Sequence, residues 1–502
     1  MIRSLVCAAT LLAALGLTDR TAAAVRSSII PETTARRHGL TRPWFTQIQL
    51  DRGRARVSSI LLHEEVLYVQ TDRAMVHAID GETGATLWTR QVGRPGHPSL
   101  TPGANRDYLA CINGSHLYVC NRYNGDLLFE IEVGGAPGAG PAVSEKRAYV
   151  PMVNGLVIAY RLESLTDPMY ELGKVKTGVT EEEKAALEEN RRENLRLRQE
   201  YIPPLACQSI GRTLVQPLVT RQNPAEEYVA WPTDRGHLNV GRIDRNREDS
   251  FWVKYRLETD QEISAQPTYR PANINDPADF GIIFAASRDG FVHAIDERNG
   301  QSLWRFSTGE PLVQPAVVVE DDVFVATQPG GIYCLDANTG REKWWTPQIE
   351  QFLAVSKERV YVTDKVGRTL TLNLKTGARL DTIPLPPLPI KLINHRTDRI
   401  YLATHTGLVQ CLHETELSEP IRHGEHRTKK MVQQPAGGQP QPGPGAAGGQ
   451  PQPGGPQQPA GQDDPFGNDV DPFGGGQEVP DNPAGGGNQG QDPLGGGGNP
   501  FN

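Results

Sequence analysis

An eight-bladed β-propeller with four strands per blade, an all-β fold, is what this sequence predicts, and three observations predict it. The first is a recurring spacing: an acidic or amide residue, Gly four positions on in most copies, and an aromatic eight positions on. The second is the period of the copies, about 40 residues. That is the length of a small unit that cannot bury its own apolar face and must stack against its neighbours. The third is the run between copies: short, rich in β-branched and aromatic residues, broken by turn formers and lacking helical periodicity.

Asp80, Gly84 and Trp88 make the first copy, and Asn121, Gly125 and Phe129 a weaker second. Asp244 and Trp252 keep the gap without the Gly. Asp296, Gly300 and Trp304 form a full copy, as do Asp336, Gly340 and Trp344, whereas Asn373 and Gly377 are followed by Asp381 where the aromatic belongs. Hairpins at 155–161 and 407–413, without the aromatic, bring the number of units to eight. Each Asp or Asn reads as a turn former whose side chain accepts local N–H groups, and each Gly lets the chain reverse into the next strand. The last copy stops after its third strand. Phe45 to Leu50, or as far as Arg56, is therefore expected to supply the missing strand and close the ring. A parallel β-solenoid is the competing reading, but its coils are shorter than this period.

The run Ala-x-Asp-x-x-Thr-Gly-x-x-x-Trp from Ala78 to Trp88 resembles the repeat of the pyrroloquinoline-quinone-type (PQQ-like) propellers. That family includes quinoprotein alcohol dehydrogenases and the non-catalytic propeller of the bacterial outer-membrane barrel-assembly machinery, and the resemblance leans to the latter. It covers residues 45–415 and implies that Trp88, Trp304 and Trp344 dock between adjacent blades. Phe129 and Trp252 are expected to do the same in their copies. An indole suits that role because it offers a large apolar area and one N–H to satisfy. Burying one contributes about 3 kcal/mol.

Arg3, the apolar run from Leu5 to Leu17 and Ala22 to Ala24 fit a secretory signal peptide over residues 1–24, with a linker over 25–44; a buried N-terminal helix is the alternative. The apolar run is too short to span a bilayer, and no later stretch reaches about 18 apolar residues. Cys7 lies too early to be a lipidated residue following a full apolar core. The expected location is the periplasm or cell envelope. Cys111, Cys120, Cys207, Cys334 and Cys411 would remain after cleavage, with no metal-site spacing. Cys111 and Cys120 flank one hairpin, either as a disulfide or as free thiols. Cys334 and Cys411 occupy equivalent strand positions and read as core filling.

The formal charge is −8, and residues 431–502 carry seven acidic side chains with no Lys or Arg, so the propeller is near neutral. Without a basic face, nucleic acid is not an expected partner. Residues 164–206 read as a helical insertion between blades 3 and 4: Thr180 to Glu183 has capping-box spacing, and Arg191, Arg192, Arg196 and Arg198 follow toward the end. It is either a solvated arm or a docking element. Residues 416–502 read as a disordered Gly/Pro/Gln-rich tail. Within it Phe466, Phe473 and Phe501, each beside Pro, form candidate short linear ligands.

No adjacent Cys pair and no Cys-x-x-Cys-His are present, features that quinoprotein dehydrogenases of this repeat type generally carry. His77 and His293 fall at matching positions and read as repeat-encoded strand residues, exposed or hydrogen-bonded, rather than as catalytic groups. The expectation is a non-catalytic exported scaffold, with no catalytic, cofactor or metal residues, that binds protein through the rim, the insertion or the tail. A quinone- or metal-dependent oxidoreductase and a surface polysaccharide binder are the alternatives.

Overall fold

The computed structural model describes residues 29–51, 53–162, 204–222, 226–244, 250–328, 330–384 and 388–428. The chain divides after Gln433, and the second unit, Gln434–Asn502, lies outside the described residues. The signal-peptide segment, the insertion helix and Phe466, Phe473 and Phe501 lie outside them too.

Thirty-two strands form eight four-stranded antiparallel sheets. Blades 1 and 2 span residues 57–91 and 103–132, blade 3 spans 142–208 and blade 4 spans 218–258. Blades 5, 6 and 7 span 268–307, 317–347 and 351–383, and blade 8 spans 390–414 plus a strand from the N-terminus. First strands of neighbouring blades lie side by side, 103–104 with 142–143 and 268–270 with 317–319, so they surround the central axis. The middle strands are the apolar filling; Tyr108–Asn113, for one, is buried throughout. Outer strands such as Thr86–Gln91 bury one residue and expose the rest. Core clusters bridge blades: Tyr68, Val76 and Trp88 of blade 1 pack with Leu109, Cys111 and Cys120 of blade 2. Because strands alternate in direction, turns between first and second and between third and fourth strands share one face, called the turn face below.

The ring is closed by Leu40–Gln47, which pairs with Leu408–Glu414 as the outer strand of blade 8. The closing strand thus begins five residues before the expected Phe45 and ends before Leu50. The reason is Trp44, which must sit opposite Cys411 to reach blade 1. Pro43 falls at the register shift between Thr41 and Trp44, on an outer edge where a missing N–H costs little. The segment expected as a linker also holds a short helix, Glu32–Arg37. Its Ala35, with Ile30, packs against Leu353 of blade 7 and Leu412 of blade 8.

A second correction concerns the insertion. Leu205–Gln208 pairs with Leu156–Arg161 as the outer strand of blade 3, so the intervening residues interrupt blade 3 between its third and fourth strands. The expected boundary at 206 ran into that strand because it lacks both the turn Gly and the aromatic.

Candidate functional site

The repeat builds a lock at the seams. Asp80 Oδ1 accepts from the N–H groups of Glu82 (3.1 Å) and Thr83 (2.7 Å) and from the Thr83 hydroxyl (2.8 Å). Asp336 does the same with Asn338 and Thr339, and Asn373 with Lys375 and Thr376. Asn121 accepts from Tyr123 N–H and Asp296 from Arg298 N–H, both at 2.8 Å. The side chain of Asp244 lies outside the described residues. Each turn then needs a residue at positive φ, and Gly84, Gly125, Gly300, Gly340 and Gly377 hold φ between 67° and 74°.

Against each of these glycines lies an aromatic ring from the preceding blade. Trp88 covers Gly125, Trp304 covers Gly340 and Trp344 covers Gly377. Their indole N–H groups donate to the carbonyls of Arg122 (2.8 Å), Ala337 (3.0 Å) and Leu374 (2.7 Å), in each case the residue after the Asp or Asn. Trp44, unassigned by the sequence reading, repeats the contact at the closing seam: it covers Gly84 and donates to Gly81 O at 2.9 Å. Its signal was the Trp-x-Thr shared with Trp344 and Thr346. Thr46 and Thr346 donate to the carbonyls of Gly84 (2.5 Å) and Gly377 (2.7 Å). Phe129, opposite Val119, packs into a cluster with Tyr160 and Leu162 of blade 3.

Trp252 does not dock. It faces Arg242, with the guanidinium 5.9 Å from its ring centre, and is 45% exposed. The register shift in blade 4 falls at Val240/Gly241, which places Tyr255 in the docking row opposite Val240. Tyr255 covers Gly300 and donates its hydroxyl to Glu297 O at 2.7 Å. In blade 7, Asp381 stands in the docking row opposite Thr371 and meets His38 Nδ1 at 2.5 Å, a polar contact in place of the aromatic.

His77 and His293 are buried rather than exposed; His77 Nδ1 meets Thr89 Oγ1 at 3.1 Å. Burial lowers the pKa of both, so each is neutral. All five described cysteines are free and buried, Cys111 and Cys120 included, and burial raises the Cys120 thiol to about 12 and Cys207 to about 11. Among the described residues no group of three or more His, Cys, Asp or Glu could hold a metal ion.

Two other regions stand out. On the turn face, the segment after blade 8 crosses the inner loops as a strap. Ile421 N–H donates to Asp398 (2.8 Å), His423 N–H to Arg396 O (2.8 Å), and His423 Nε2 meets Val355 O (3.0 Å). Gly424 N–H reaches Glu320 (2.7 Å), and Arg427 pairs with Asp279 (2.7 Å) and Asp321 (2.6 Å). The second region is a groove of about 440 Å³ between blades 3 and 4, with Gln208, Ile210, Asn239, Val253, Tyr255 and Arg256 among its walls. The Asn239 amide nitrogen is buried and has no acceptor among the described residues.

A closed eight-bladed propeller with five seams locked by an aromatic on a turn glycine is the class that this fold and these contacts define. Part of the chain is similar to the PQQ-like repeat propellers: a family profile described as outer membrane protein assembly factor BamB matches residues 72–166 and 288–405. Among solved structures, BamB from Moraxella catarrhalis is 13% identical with a TM-score of 0.51, covering 75% of this chain and 98% of that one. The computationally designed Ika8 protein is 12% identical with a TM-score of 0.50, covering 72% and 98%. Quinohemoprotein alcohol dehydrogenase from Comamonas testosteroni is 12% identical with a TM-score of 0.48, covering 76% and 77%. At these identities the likeness establishes the fold and no more. No curated protein matches the sequence. No described helix is long and apolar enough to cross a membrane.

Proposed function

We propose that the protein is a non-catalytic, exported scaffold of the cell envelope that holds protein partners, in the manner of an assembly factor. The observation that carries this reading is the match of repeats in both halves of the ring to a profile described as an outer membrane assembly factor. The N-terminal apolar run, with its small residues before Val25, supports export. Buried thiols with raised pKa and neutral, strand-embedded His77 and His293 support a ring built for packing rather than for acid–base or nucleophilic work. Exposed aromatics on outer strands, Trp345 at 49% and Trp252 at 45%, and the groove beside Asn239 offer contact surface for a protein.

Proximity labelling in the native cell tests the reading, with the full chain and with the tail removed after Lys430. Envelope proteins are the expected neighbours, and their partial loss on truncation would assign recruitment to the tail. Recovery of cytoplasmic neighbours alone overturns the reading. So does a stoichiometric quinone in the absorbance spectrum of purified protein.

A further inference from the structure

We propose that the groove between blades 3 and 4 docks an uncharged, extended peptide segment of a partner protein, which sets an apolar side chain against Ile210 and Val253 and offers a backbone carbonyl to the amide of Asn239. This deepens the scaffold reading and rests on it. The groove exists because two seam positions are filled differently here. Tyr333, third residue of the strand Gly331–Asp336 in blade 6, meets Phe306 of blade 5 edge to face with ring centres 5.4 Å apart. Phe306 stands opposite Val292, the second residue of the third strand of its blade. At the seam of blades 3 and 4 the equivalent residues are Asn239, third in His237–Asp244, and Cys207, opposite Val157. An amide and a thiol replace two rings, and about 440 Å³ stays open. That volume falls within the range of ligand sites, about 300–1,000 Å³.

The buried polar groups at this rung are donors without acceptors. Asn239 is 2% exposed and lines the groove, and its amide nitrogen is buried with no acceptor among the described residues. Trp231 stands directly opposite it in the strand pairing, is fully buried, and its indole N–H also lacks an acceptor among the described residues. The seam indoles of Trp44, Trp88, Trp304 and Trp344, by contrast, all donate to carbonyls. An unpaired buried donor destabilises a fold, so this rung serves something other than the stability of the ring. The floor beneath it is tightly packed: Trp231 and Phe251 lie 5.6 Å apart between ring centres, and both crowd Gly241. A carbonyl entering from the groove supplies the missing acceptor.

The remaining walls decide which kind of carbonyl. Arg256 pairs with Glu258 at 2.6 Å, which cancels their charges and favours a neutral amide over a carboxylate. Ile210, 61% exposed, and Val253 add apolar surface. A peptide bond flanked by an apolar side chain matches both.

The test is a titration of the full chain, labelled with ¹⁵N, with a pool of end-capped tripeptides, acetyl-Ala-Xaa-Ala-amide where Xaa is Val, Leu, Ile or Phe, in one arm and maltotriose in the other. The expected result is a saturable shift of the Asn239 side-chain amide and the Trp231 indole with the peptides and none with the sugar, the two resonances being assigned by their loss in Asn239→Leu and Trp231→Phe. Asn239→Leu, close in shape and without the donor, should weaken peptide binding about tenfold and raise the melting temperature of the free protein, because it removes an unpaired buried amide. An amide with a structural role alone would move the melting temperature the other way. Ile210→Ser, at an exposed position, should weaken binding about threefold, and it keeps the test valid if the Leu variant fails to fold. No saturation by the peptides, saturation by the sugar instead, or binding unchanged in both variants overturns the proposal. Each of these outcomes leaves the scaffold reading standing, because that reading falls on the neighbours recovered in the cell or on a bound quinone.

Discussion

Trp44 and Gly84 meet face to face across the closing seam, so close that a Cβ added to Gly84 would lie 2.5 Å from the indole carbons. Gly84 also sits at φ 72°, so it serves two needs at once, the reversal of the chain and the floor for a ring.

Gly84→Ala is therefore expected to destabilise the propeller by about 2–4 kcal/mol, summing left-handed strain and overpacking. Trp44→Ala should cost about 3–5 kcal/mol through the cavity it leaves. Urea unfolding of each variant measures both, and losses below about 1 kcal/mol would show that the seam relaxes around them.

In blade 4 the two aromatics separate cleanly. Tyr255→Ala should cost about 2–4 kcal/mol and Tyr255→Phe about 1 kcal/mol, the share of its bond to Glu297 O. Trp252→Ala, at an exposed site, should cost less than about 1 kcal/mol. The reverse order in thermal denaturation would return the docking role to Trp252.

Arg399 bridges blade 8 to blade 1 with its side chain 1% exposed, 2.9 Å from Glu82 and 3.2 Å from the fully buried Asp398. Arg399→Met leaves the Asp398 carboxylate without a counterion, and the expected loss is about 3–5 kcal/mol. Burial already raises the pKa of Asp398, so the variant should recover part of its stability at low pH, where that group is protonated. Denaturant midpoints measured against pH check this.

Acid sensitivity should begin with the histidines. His77 and His293 have folded pKa values lowered by burial, so below the unfolded value of about 6.5 the unfolded chain binds more protons than the folded one. Their contribution is present above that pH and is lost as pH falls toward the folded values. Asp336 acts in a lower window. Burial would raise it, but the hydroxyl and N–H of Thr339, with Lys343, outweigh that and hold it below the usual carboxylate range. Its stabilisation fades only beneath about pH 4. A His77→Gln, His293→Gln double variant should flatten the melting temperature between pH 6.5 and 4, and an unchanged slope there would exclude these two rings.

What the sequence made legible is what the repeat repeats. Asp80-x-x-x-Gly84 and its copies carry blade number and seam chemistry because a turn that needs positive φ and local N–H acceptors leaves few residue choices. Tyr255 was hidden because a register shift inside blade 4 moves the docking row by three positions, and spacing alone cannot register a bulge. Trp44 was hidden because Arg36 and Leu40 stand eight and four positions before it, where the repeat has Asp or Asn and Gly; its strand pairs with one from the far end of the chain. The bridge made by Arg399 was invisible for a related reason. Beside the adjacent Asp398, Arg399 takes its second carboxylate, Glu82, from blade 1, and no local pattern joins the two.

The bond from Ile30 N–H to Gln410 Oε1 joins residues 380 positions apart, and the strand pairing beside it spans almost as much of the chain. A chain emerging N-terminus first must hold Leu40–Gln47 unmated until nearly all the rest has appeared. Each doubling of such a span adds about 0.6 kcal/mol to the entropy of closure, and long-range pairing of this kind is slow. Throughout that delay the protein carries two open β-edges and a bare indole, the surfaces from which misassembly begins. Ring closure is accordingly the step at which a chaperone would matter most.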